Sequence, residues 1–191
     1  MATGDAFDEF ADDPDLESVF AVAREEQRAE EEEYTRAAAR QWARHRDLID
    51  VARELQHRGD MVSVRVGESV FVGVIDAVGR DYLQLRTDGG RVDIPLVRPN
   101  REHGALPLLI RVSRRARAGG RRAEPGASTF RARLLEYDGE EIDAVIGAVV
   151  LREELRGRLV VGRDHVVVHD RDGGQTYLPL GYVAWVKPWR D

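Results

Sequence analysis

Two stretches of the chain follow one pattern. Val78-Gly79-Arg80-Asp81, a short apolar run, Asp88-Gly89-Gly90 and Pro95-Leu96 form the first. Val161-Gly162-Arg163-Asp164, a short apolar run, Asp172-Gly173-Gly174 and Pro179-Leu180 form the second, with one inserted residue. A pattern repeated at this length predicts two small all-β units of one design. Each Asp-Gly-Gly is a tight hairpin turn, because glycine supplies the positive φ such turns need. A phosphate-cradling loop would need a Gly-Lys-Ser/Thr run and a following helix, and neither is present.

The rest of the chain arranges itself around these units. Residues 1–12 are acidic and read as a tail. Asp13-Pro14 is a helix start, with Asp as cap and Pro at the first helical position. Apolar residues then recur at helical spacing (Leu16, Phe20, Ala23; Tyr34, Ala38, Trp42, Ile49, Ala52), and no Gly or Pro intervenes before Gly59. This predicts one long helix over 13–58, with at most one break near Glu30. Trp42 is expected to pack it against the β-rich part. After Gly59 the period becomes two. Strands are expected over 62–66, 70–78, 82–86, 92–94 and 108–112. A short helix over 129–136, capped by Ser128, leads the second unit, with strands at 142–150, 155–161, 165–169 and 176–186.

Charge is unevenly spread. The net charge is −6, but residues 1–33 carry thirteen acids against Arg24 and Arg28, a local −11 that leaves +5 for the remainder. Lys187 is the single lysine. That arginine bias follows from GC-rich coding, so arginine abundance alone says little about anions. With no cysteine, disulfides and thiolate metal sites are excluded. The start of the chain lacks a basic and apolar leader, and no apolar run reaches membrane-span length, which points to a cytoplasmic protein without membrane attachment.

A helix followed by five short bent strands resembles the Sm-like (Hfq-like) small barrel. The segment 62–85 resembles the first Sm signature in its alternating apolar residues, its mid-strand Gly73 and its Asp81; Gly157 and Asp164 hold similar places in the second unit. The resemblance implies a mainly β, α+β protein: acidic tail 1–12, long helix 13–58, a first five-stranded barrel over 59–112, an Arg/Gly linker over 113–127 and a second barrel over 128–191. It also implies that the fifth strand of one barrel meets the fourth of the other. The family's RNA-contacting asparagine is replaced by Gln84 and Val167, and its second-signature Arg-Gly by Ile94-Pro95-Leu96 and Leu178-Pro179-Leu180. Only scaffold residues carry over, with Asp81 and Asp164 expected to accept backbone N–H groups in their turns.

Two functional segments remain. Arg111, Arg114, Arg115, Arg117, Arg121 and Arg122, among glycines, form a candidate phosphate-neutralising arm for RNA or another polyanion. The absence of aromatics there argues against base stacking. Residues 5–34 carry Phe7, Phe10, Leu16 and Phe20 as candidate anchors for a protein partner. His165 and His169 sit four residues apart on a strand, about 13 Å, too far to share one metal ion. No nucleophile–base arrangement or paired carboxylate suggests catalysis, and no cofactor is implied. The expectation is a non-catalytic nucleic-acid-associated module, the alternative an adaptor docking through its acidic helix; oligomerisation is compatible with either.

Overall fold

The computed structural model describes residues 14–96, 108–117, 119–120, 125–149, 151 and 153–189. The chain divides into two units, 1–46 and 47–191. In the first, α1 (Pro14–Arg44) runs unbroken through Glu30. Every side chain described in α1 is exposed. It is held by local pairs such as Arg36 to Glu32, 3.2 Å apart one turn away. The break falls at residues 45–47 instead, where the Asp50 carboxylate accepts the Asp47 N–H at 3.2 Å and starts a new helix. That helix, α2 (Leu48–Arg58), ends on Gly59 at φ 68°. Among the described residues no helix is long and apolar enough to cross a membrane.

The second unit also contains β1 (Met61–Val66), β2 (Ser69–Val78), β3 (Tyr82–Thr87), β4 (Gly90–Pro95), β5 (Leu108–Arg114), α3 (Phe130–Gly139), β6 (Asp143–Ala148), β7 (Leu155–Val161), β8 (His165–His169), β9 (Gln175–Pro179) and β10 (Val183–Pro188). The strand expected over 176–186 is interrupted by a single 3-10 turn, Leu180–Tyr182. Thr129, not Ser128, caps α3, its hydroxyl accepting from Ala132 N at 3.2 Å.

The two expected barrels are not formed. All ten strands belong to one open antiparallel sheet in the order β5-β1-β2-β3-β4-β10-β6-β7-β8-β9. The reason lies in β4. Its free hydrogen-bonding edge is taken by β10, with Asp93 opposite Val186, so neither half closes on itself. Among the described residues β5 and β9 form the two edges.

The sheet buries a different face at each end. Neighbouring residues of a strand point to opposite faces. Leu83 joins a core with Val62, Val64, Ile75 and Leu85 beneath α2, whereas Tyr82 joins a second core with Phe130, Leu134, Ile146 and Leu159 beneath α3. β10 serves both: Trp185 belongs to the first core and Val186 to the second. Trp185 is therefore buried and packs edge-on to Phe71, with centroids 5.1 Å apart, and presents no exposed partner surface. Gly147 is required beneath it, because a Cβ there would run into the indole.

Candidate polyanion interface

The arginine stretch begins in the sheet, because β5 runs through Arg114, two residues past the expected strand end. Arg111 and Arg114 lie in β5, hydrogen-bonded along β1, with Arg111 opposite Ser63, Leu109 opposite Arg65 and Arg114 opposite Met61. Opposed residues share a face, so Arg65 and Arg111 lie on one side of the sheet, on adjacent strands, together with Val70 and Val72 of β2. Val70 and Val72 are each about half exposed, at 48% and 49%. The segment after β5 is pinned by Asp60, which is buried. Asp60 Oδ1 accepts Ala116 N–H at 2.8 Å, and Oδ2 lies 2.6 Å from Arg58 Nη2. Gly120 N–H donates to His57 O at 2.8 Å, and its backbone packs on Gly59 so closely that a Cβ on either would collide. A cleft of about 450 Å³ lies between Met61, Val74 and residues 114–117.

Arg65, Arg111, Arg114, Arg115 and Arg117 are all exposed, and none forms an ion pair with a described residue. Elsewhere in the sheet unit Arg86 and Arg91 share Asp76 at 3.7 and 3.5 Å, and Arg156 and Arg158 meet Glu154 and Glu141, while the exposed Arg80, Arg131 and Arg163 form no ion pair with a described residue. What sets this edge apart is that its unpaired arginines are gathered together. Arg65 was not singled out from sequence because it is 46 residues before Arg111; only the β1–β5 register brings the two together. Arg121 and Arg122 lie outside the described residues, as do Phe7 and Phe10. Leu16 and Phe20 are placed on α1, but their side chains are likewise outside the description.

A second polar cluster is closed to ligands. Gln84 Nε2 donates to Asp93 Oδ1 at 2.9 Å, Arg133 Nε to Asp93 Oδ2 at 3.2 Å, and the Tyr137 hydroxyl also donates to Oδ2. Arg133 Nη1 further meets Glu136 at 2.5 Å. Burial, reinforced by Asp93, holds the Tyr137 phenol far above its ordinary range, and burial pushes the nearby Tyr82 phenol up to about 12. Burial alone would lower the Arg133 pKa, but Asp93 and Glu136 raise it on balance. Arg133 bridges Asp93 and Glu136, and Gln84 and Tyr137 donate to Asp93, so the cluster fastens α3 to β4. Gln84 is spent inside this network.

Asp81 and Asp164 differ from expectation. Asp81 Oδ1 accepts the N–H of Phe130, the first residue of α3, at 2.7 Å, whereas Asp164 Oδ1 pairs with His165 Nδ1 at 2.8 Å and is otherwise exposed. Among the described residues no three His, Asp or Glu side chains gather to hold a metal ion. No protein family, curated protein or solved structure matches the chain.

Proposed function

We propose that the chain is a non-catalytic module that binds the phosphate backbone of nucleic acid, RNA first among the candidates, along the β1–β5 edge. The observation that supports this is the row of five exposed arginines without ion-pair partners. A sheet rises about 3.4 Å per residue, so Arg111 and Arg114 alone span about 10 Å, and Arg115 and Arg117 extend the row. A linear row suits a linear polyanion better than a compact anion. The half-exposed Val70 and Val72 offer apolar contact beside it, but no aromatic platform, so selectivity among sequences is low. The Sm-like route to this reading ends with the open sheet; the charge distribution supports it independently.

Binding of a labelled random single-stranded RNA should weaken steeply between about 50 and 200 mM salt, with Arg111→Ala/Arg115→Ala lowering the salt slope by about 0.7 per lost phosphate contact. Absence of binding at the lower salt would remove the reading. The adaptor alternative is favoured by α1 itself. A 31-residue helix whose described side chains are all exposed, Tyr34 at 78% among them, gains nothing from burial of its own.

A further inference from the structure

We infer that a second copy of this chain adds to the sheet, β9 of one copy pairing antiparallel with β5 of the next, in the geometry the chain already uses between β4 and β10. Both halves have the same internal order, with the fifth strand beside the first and the fourth at the far end. Only one of the two fourth strands is covered. The backbones correspond closely. Leu96 N–H donates to Asp81 O at 2.7 Å and Leu180 N–H to Asp164 O at 2.8 Å; Gly79 N–H donates to Tyr82 O and Gly162 N–H to His165 O, each at 2.9 Å.

The register follows. Gly73 stands opposite Val62 and Gly157 opposite Ala144. Two residues further along, Val64 pairs with Ile110 and Ile146 with Val186. Ile110 is thus the counterpart of Val186, and Tyr177, opposite Val167, is the counterpart of Asp93, opposite Gln84. Since Asp93 faces Val186 inside the chain, Tyr177 should face Ile110 of the next copy. Bonded pairs alternate along an antiparallel ladder, and Asp170–Gly174 and Asp164–Leu180 are bonded, so Tyr177 directs its N–H and C=O away from β8.

The side chains agree. Residues whose counterparts are buried at the internal junction stand exposed at the free edges. Tyr177 is 64% exposed while Asp93 is fully buried. Leu48, the first residue of α2, is 41% exposed, while Phe130, the first of α3, is 6%. The exposed carboxylate of Asp164, which meets only its neighbour His165 among side chains, corresponds to Asp81, which holds the start of α3. Charge is complementary too. Inside the chain the Asp88-Gly89 turn lies under Lys187, whose Nζ would be 3.1 Å from a Cβ on Gly89. The same register makes Arg111 the counterpart of Lys187 and so brings it beside the Asp172-Gly173 turn. An open strand edge of this kind is a template for pairing unless it is blunted, and β9 has only Pro179, at its end. The contact is heterologous: each added copy leaves one β5 and one β9 edge until a ring closes.

Nucleic-acid-free protein should show a weight-average mass that rises above one chain with concentration in sedimentation, whether or not RNA binds. Tyr177→Pro, which removes an outward N–H and leaves the β8–β9 bonds, should abolish the rise. The chain has no cysteine. Gln175→Cys in one preparation and Val112→Cys in another should therefore give a mixed disulfide as the dominant product on mixing and oxidation. A second pair, Asp172→Arg and Arg111→Glu, should each assemble less than wild type alone and regain assembly when mixed. Wild type that stays monomeric at all concentrations, or homodimeric disulfides in place of the mixed one, would overturn the inference.

Discussion

The hairpin β3–β4 and the hairpin β8–β9 share backbone bonds at their bases and meet opposite fates, although Thr87 faces Gly90 across a two-residue turn and Asp170 faces Gly174 across three residues. β3 and β4 lie mid-sheet with both faces covered, their outer face by α3. β8 and β9 end the sheet; β8 is buried from Val166 to Val168, and β9 keeps Leu178 in a core while its other face is open to water. The first hairpin places a carboxylate, Asp93, where the second places Tyr177. The charge is tolerated only because α3 brings Arg133 and Tyr137 to it. A repeated backbone thus acquires different chemistry from what packs on it, not from its own strand pattern.

The contrast is most exposed to test at that pair of positions. Asp93→Ala leaves Arg133, Tyr137 and Gln84 buried without their acceptor and should cost about 3–5 kcal/mol in urea unfolding. Tyr177→Ala should stay within about 0.5 kcal/mol at low protein concentration. Equal losses at both sites would break the comparison. Next in size are the turn glycines. A Cβ on Gly79 would meet the buried Tyr82 ring and Ser128 O, whereas one on Gly162 would meet only the His165 ring, which has room to swing outward. Gly79→Ala should therefore lower stability by about 1–3 kcal/mol, as overpacking does. Gly162→Ala should be close to neutral in the same melts.

The smallest effects concern the two aspartates. Asp81→Ala loses a charge-assisted bond at the start of α3, worth about 1 kcal/mol. Asp164→Ala should leave the unfolding midpoint unmoved. The hydrogen bond from His165 holds the Asp164 carboxyl below its ordinary range. A carboxyl depressed in the folded state contributes stability above its unfolded value and loses it as pH falls through the lowered folded one. At so exposed a site the consequence is spectroscopic: carbon NMR titration should show Asp164 ionising at lower pH than in His165→Ala, and coincident curves would refute the pairing.

Much of the local structure was legible because it is local. Alternating valines in 62–66, the Asp-Gly-Gly turns and the helix start at Pro14 depend on neighbours a few residues away, and each lies where its local pattern placed it. The 45–47 break was missed because its signal is one short cap, Asp47 with Asp50, inside an otherwise helical pattern. The pinning of residues 116 and 120 was not legible because their anchors, Asp60 Oδ1 and His57 O, are more than fifty residues away in sequence. The burial of Gln84 and Asp93 was equally invisible, since it depends on a helix about forty residues further on.

The sequence alone determined the strands, their turns and the excess of arginine near residue 111, because periodicity, glycine conformations and charge are written along the chain. Tertiary structure decided that β4 meets β10 instead of closing a cylinder, that one hairpin is buried and its counterpart exposed, and that Arg65 joins Arg111. Those outcomes turn on which unsatisfied backbone edge finds another, a choice between distant partners that no local pattern encodes.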